Sequence, residues 1–144
     1  MIETITNTKI FDLLWDKYSK EDTFREMYVN FHNNLMLCYV EDVVFKEFRF
    51  KKKMKDEILS DVRNTVYDLS EGDLNDLNFP ELSRCLLDIV RTSCEEYRLP
   101  DSRIDSIMKK LTKSLHTDYE NGWITALKFV VMCEYMSEYD DDEI

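Results

Sequence analysis

The sequence predicts an all-α fold, a single-domain helical bundle of about seven helices around one buried central helix. Three observations predict it. Two glycines and two prolines in 144 residues are too few for the tight corners of an antiparallel sheet. Apolar residues recur three and four apart along most of the chain, the spacing of one helix face. The stretch from Leu82 to Cys94 is apolar on more than one side, as expected of a helix surrounded by others. A chain of this length buries roughly two thirds of its unfolded surface, so it needs no covalent staples. The bundle is assigned to residues 1–137 and a solvating acidic tail to residues 138–144.

The elements follow in order. Ile10, Leu13, Leu14 and Tyr18 give a first helix one apolar face, with Trp15 beside it. Thr23 and Glu26 have the spacing of a capping box, which opens a second helix carrying Met27, Phe31, Leu35 and Cys38. The stretch from Val43 to Lys55 mixes aromatics and cations, and Phe48 and Phe50 would equally suit a short strand. Ile58, Val62, Thr65, Val66 and Leu69 then mark another helix.

The next helix has a clear start. Asn78 caps it, Pro80 falls in its first turn, where a missing N–H costs nothing, and Glu81 lies three after the cap. Leu82, Cys85, Leu86 and Ile89 line one side of it, and Leu87, Val90 and Cys94 another. Pro100 ends that run. Asp101 or Ser102 caps the following helix, which carries Ile104, Ile107, Met108, Leu111 and Leu115. Thr117 and Glu120 read as one more capping box, leading through Asn121, Gly122 and Trp123 to a last helix with Ala126, Leu127, Val130 and Val131. Gly122 marks the helix boundary and Trp123 the aromatic anchored beside it.

The residues offer little for catalysis or metal binding. Cys38, Cys85, Cys94 and Cys133 form no CxxC pair, lack a histidine at ligand spacing, and read as small reduced apolar residues. There is no glycine-rich phosphate loop, nucleophile elbow or HExxH. His32 and His116 are far apart, and His32 reads as a surface or core-edge residue. The expectation is a non-enzyme with no cofactor and no metal. A net charge of −11 argues against nucleic acid and favours basic partners. Arg49, Lys51, Lys52, Lys53 and Lys55 read as a solvated face that snorkels its charges. No stretch has a signal peptide's pattern or a membrane span's length.

Asn121-Gly122-Trp123-Ile124-Thr125-Ala126-Leu127 resembles the second homology motif of the B-cell lymphoma-2 (Bcl-two) family of apoptosis regulators. Asn78-Phe79-Pro80-Glu81-Leu82 stands where that family's first motif opens its central helix, and the N-terminal IFDLLWDKYSKED is similar to the fourth. The motif order agrees. Pro80 and Glu81 replace the family's glycine and arginine, so the salt bridge that arginine makes to a ligand aspartate does not carry over; Arg84 is its candidate replacement. No third motif can be placed and the family's membrane anchor is missing, a pattern similar to diverged viral homologues.

The resemblance implies an anti-apoptotic protein that sequesters amphipathic pro-death helices of host Bcl-family proteins in a hydrophobic groove. Ile58, Val62, Val66 and Leu69 would wall that groove, and Phe79, Leu82 and Leu86 would floor it, with Asn78 and Arg84 reaching the ligand's acidic residue. Gly122 and Trp123 would anchor its end. It also implies a cytoplasmic location in the host cell, with mitochondrial association through partners. Three alternatives stay open: a viral bundle that binds immune-signalling adaptors through an outer helix face, a homodimer through the vacant face, or an unrelated helical adaptor.

Overall fold

A computed structural model of the protein describes residues 8–121 and 127–139. It is all-helical, with six α-helices among the described residues: α1 (Thr8–Tyr18), α2 (Asp22–Tyr39), α3 (Lys52–Ser70), α4 (Phe79–Glu96), α5 (Asp101–Glu120) and α6 (Leu127–Tyr139). A π-helical segment, Val40–Phe45, extends α2, and one turn of 3-10 helix, Leu74–Asp76, precedes α4. No strand forms among the described residues, so Phe48 and Phe50 lie in turn and coil, half-buried against the core. Gly122 and Trp123 lie outside the described residues. α6 runs to Tyr139, past the expected boundary at 137.

The central position falls to α2, not to the helix from Leu82 to Cys94. α2 packs on α3, α4, α6 and the π segment. It buries Phe24, Tyr28, Val29, His32, Asn33, Met36 and Tyr39. α4 instead buries one face, Phe79, Leu82, Leu86, Val90 and Cys94, and exposes Arg84, Asp88, Arg91 and Glu95. The buried stripe of α2 is offset from the predicted one: Met27, Phe31 and Leu35 are only half-buried and Cys38 is exposed. The true stripe includes tyrosine, histidine and asparagine, which a purely aliphatic count passes over. α1 behaves likewise. Trp15 and Tyr18 are buried, Leu14 is half-buried, and Leu13 is 70% exposed.

Three expected caps do not form. Pro100, which has no side-chain group to cap with, holds the N-cap position of α5, so Asp101 and Ser102 lie inside that helix. α2 starts at Asp22 with Glu21 at the N-cap position and no side-chain cap, which puts Thr23 inside the helix. Arg25, between Thr23 and Glu26, works as a clamp. Its guanidinium donates to the Ser19 carbonyl at 3.0 Å and to the Ser70 and Gly72 carbonyls at 2.8 and 3.2 Å. It thereby ties the α1–α2 corner to the C-terminal end of α3, where a cation also favours the helix dipole. Thr117 to Glu120 form the last turn of α5, which puts Thr117 inside that helix rather than at an N-cap. At the α4–α5 corner, Arg98 takes a left-handed φ of 57°, and the Leu99 amide reaches back to the Cys94 carbonyl at 3.1 Å. That closes α4 as a left-handed C-terminal cap, with Pro100 just beyond it.

His32 is buried, 1% exposed, rather than at the core edge. Its Nδ1–H donates to the Tyr28 carbonyl one turn back at 2.9 Å, and its ring packs 4.3 Å from that of Tyr28. Burial lowers its pKa below 6.5, against a smaller opposing effect of the backbone hydrogen bond. The neutral imidazole is therefore the folded form. Above pH 6.5 both folded and unfolded chains hold His32 neutral. Below it the unfolded chain takes up the proton first, so stability falls as pH drops through 6.5 toward the folded value. In urea titrations at pH 7.5 and 5.5, the wild type should lose more stability on acidification than His32→Gln. Equal losses would show that His32 is not the titrating group.

Candidate functional site

The link from Tyr97 to Pro100 folds α5 back along α4, so the start of α4 meets the end of α5. Between them lies an apolar groove of about 280 Å³. Phe79, Ser83 and Leu87 line it from α4 at i, i+4 and i+8, with Leu115, His116 and Tyr119 opposite on α5. The repeat is the ordinary helix-face spacing. The small side chain of Ser83, between Phe79 and Leu87, leaves the hollow. Its Oγ is buried and has no hydrogen-bond partner among the described residues.

The groove end is fixed by aromatic stacking. The Phe79 ring lies 5.9 Å from that of Tyr119, at 7° between planes, and 5.9 Å from that of Tyr39. The Tyr39 hydroxyl donates to Asp118 Oδ2 at 2.5 Å. Burial, then the Asp118 carboxylate, raises the Tyr39 pKa far above its ordinary value, so the hydroxyl stays protonated. Tyr119 is 40% exposed and forms the rim. His116 pairs with Glu120 at 3.1 Å outside the apolar floor.

Asn78 sets where α4 begins, and hence where Phe79 stands. Its Oδ1 accepts the Glu81 amide at 3.0 Å and its Nδ2 donates to the Asn75 carbonyl at 2.9 Å. The cap, Pro80 and Glu81 thus fall as the sequence predicts. Asn78→Ala should cost about 1 kcal/mol. A lowered urea midpoint with an unchanged slope would show it, and Asn78→Ser should restore most of the loss.

The residues expected to form a ligand groove divide differently. Ile58, Val62, Val66, Leu82 and Leu86 are buried, and Leu69 is half-buried against the core. Val62 and Val66 face Leu82 and Leu86 across the α3–α4 seam, where the remaining void is about 10 Å³. That is about the volume one water centre occupies. The seam is shut, and these side chains are core. Of the expected set, Phe79 alone lines the open α4–α5 groove. Arg84 lies on the exposed side of α4, paired with Glu81 one turn back. That pairing lowers the Glu81 pKa and raises that of Arg84. Both polar atoms of the Asn78 side chain are engaged in the cap.

Ser83, Leu87, Leu115, His116 and Tyr119 were not anticipated as site residues. Leu87 was visible as part of a second apolar side on α4. Among the described residues no three His, Cys, Asp or Glu converge to hold a metal ion. Burial pushes the Cys85 and Cys94 thiols up. All four cysteines are free; Cys38 and Cys133 are exposed and Cys94 is buried. No helix among the described residues is long and apolar enough to cross a membrane. No family model matches the chain, and no curated protein or solved structure matches it either.

Proposed function

We propose that the protein is a binding module that captures an amphipathic helix in the α4–α5 groove, and that its targets are pro-death helices of host Bcl-family proteins. The groove carries the first part of this reading. It is elongated along two helices, apolar at the floor and bordered by the exposed Tyr119, a form that helix-in-groove recognition uses. The lining from Phe79 to Leu87 spans about 12 Å at 1.5 Å per residue, so it admits about two turns of a ligand's apolar stripe. The net charge of −11 favours a ligand with basic residues beside that stripe. The Bcl-two resemblance of Asn78 to Leu82 and of Asn121 to Leu127 supplies the choice of target.

The shut α3–α4 seam favours a second reading on the same bundle. A helical protein of this kind with no open groove between those helices binds a signalling adaptor through an outer helix face. Titration calorimetry against a panel of amphipathic pro-death helices separates the two. Micromolar or tighter binding to any of them supports the first. No heat at tens of micromolar with all of them defeats it.

A further inference from the structure

The end of the bundle where α3 begins is basic, although the chain as a whole carries −11. Six of the ten residues from Lys46 to Lys55 are cationic, and Glu47 alone is acidic. Lys46 pairs with Asp42, and Lys110 on α5 takes up Glu47. Arg49, Lys51, Lys52, Lys53 and Lys55 are in no ion pair among the described residues. The first four are exposed, and Lys55 holds its Nζ 5.5 Å from the centre of the Phe45 ring.

The fold adds cations that the sequence does not place there. Arg103, in the first turn of α5, donates from its guanidinium to the Arg49 carbonyl, 54 residues away in sequence. The Tyr97 hydroxyl donates to Glu57 Oε2 at 2.8 Å. These bonds set the corner at 97–100 beside the corner at 46–51, so the exposed Arg98 joins the group. Lys51 holds the N-cap position of α3 and Lys52 and Lys53 follow in its first turn, the end where a helix dipole disfavours cations. Gathered this way the charges repel one another, and none of Arg98, Arg103 and the five unpaired cations of the tract has a carboxylate partner among the described residues. A local conflict of this kind marks a site kept for function rather than for stability.

The positive charge lies on an open surface. The hollow beside Lys52 and Lys53 is lined by Asp56 and Glu57 as well, so it disfavours a single enclosed anion. An extended anionic surface that meets both corners at once fits better, and clusters of about four to eight Lys and Arg are what an anionic leaflet attracts. Lysine dominates the tract, and its compact charge suits a diffuse field, whereas paired recognition of individual phosphates favours arginine. The Phe45 and Phe50 rings are half-buried and pack on each other at 5.4 Å, which leaves them no open face for stacking nucleic-acid bases. The acidity of the rest of the molecule does not prevent approach. Asp68 and Glu71 stand at the far end of α3, about 28 Å away at 1.5 Å per residue, and at physiological salt a charge is screened within about 8 Å.

We infer that this end of the bundle docks on the anionic surface of a lipid membrane. Arg49, Lys51, Lys52 and Lys53 meet the headgroups from one corner and Arg98 from the other. The α4–α5 groove lies toward the opposite ends of its two helices, so a docked molecule holds the groove away from the bilayer. The docking stands whether or not that groove takes a helix.

The test is flotation of the full chain with lipid vesicles. The protein should float with phosphatidylcholine vesicles carrying about 30 mol% phosphatidylserine, and not with phosphatidylcholine alone. Raising the salt from about 0.1 M to about 0.5 M should release it. Each cation near an anionic leaflet contributes about fivefold to partitioning, so Lys51→Gln with Lys52→Gln and Lys53→Gln should weaken binding about 100-fold. Lys20→Gln with Arg63→Gln and Lys113→Gln makes the same change in net charge away from that end and should weaken it less than about 3-fold. All six side chains are exposed, so both variants should keep the wild-type circular dichroism spectrum. Five results would each overturn the inference: no flotation with the anionic vesicles, equal flotation with neutral ones, an unaffected first variant, equal losses in the two variants, or a short DNA duplex that strips the protein from the vesicles at equal phosphate concentration.

Discussion

Phe24→Ala should melt roughly 10–20 °C below the wild type. Phe24 is fully buried, and it is where three helices meet. Its ring centroid lies 5.6 Å from Trp15 and 6.0 Å from Tyr18 on α1, 6.1 Å from Tyr28 on α2, and 5.3 Å from Tyr135 on α6. The Trp15 and Tyr135 contacts are edge-to-face, at 82° and 89°, the arrangement in which ring quadrupoles attract. Truncation to alanine removes a buried phenyl and leaves a hole ringed by four large aromatics, which cannot collapse without losing their own contacts. Such losses run at about 3–5 kcal/mol, and for a chain of this length each kcal/mol moves the midpoint by roughly 3–4 °C. Phe31→Ala, on the half-buried side of the same helix, is the control and should lose far less. Calorimetric melts of the two variants decide the matter. If Phe31→Ala fell as far as Phe24→Ala, the core would lie on the face that aliphatic periodicity marks.

That comparison shows where the sequence was readable and where it was not. α3 and α5 bury the residues their spacing marks, Ile58, Val62 and Val66 in one and Ile104, Ile107, Met108, Leu111 and Leu115 in the other. Their cores are built from aliphatic side chains, and one helix face explains them. α2 is different because its buried face is amphipathic. Tyr28 keeps its hydroxyl satisfied by donating to the Leu77 carbonyl at 3.1 Å, and His32 uses the backbone of its own helix. A polar atom with a partner is cheap to bury, but the partner is 49 residues away for Tyr28 and invisible in a local window. Arg25 fails to show for the same reason, since two of its three acceptors, Ser70 and Gly72 at the C-terminal end of α3, lie 45 and 47 residues away. The Asn78 start of α4 is a local device, complete within four residues, and was legible to the residue.

The candidate site was less legible than the fold. Whether two facing apolar stripes leave a groove or close on each other depends on side-chain size and helix separation. Val62, Val66, Leu82 and Leu86 interdigitate and fill the α3–α4 seam. Between α4 and α5 the small Ser83 sits between Phe79 and Leu87, and the seam stays open. Stripe position was written in the pattern, but the gap between stripes was not.

Charge placed in that gap should abolish helix capture. Leu87 is half-buried in the groove wall, so Leu87→Asp puts a carboxylate against the path of the ligand's apolar stripe without filling the core. Desolvating an unpaired carboxylate costs several kcal/mol, and every 1.4 kcal/mol is tenfold in affinity. A pro-death helix that binds the wild type should therefore lose at least about 100-fold. Tyr119→Ala removes the exposed rim and its stack on Phe79 but adds no charge, so a loss of about 10-fold is expected. Leu13→Ala, at a 70% exposed position on α1 outside the groove, should bind as the wild type does. Helical content by circular dichroism should be equal in all three variants, which separates a damaged groove from a damaged fold. If Leu87→Asp kept its structure and still bound the helix unchanged, capture would have to occur on another face. The shut α3–α4 seam would then weigh toward docking on an outer surface.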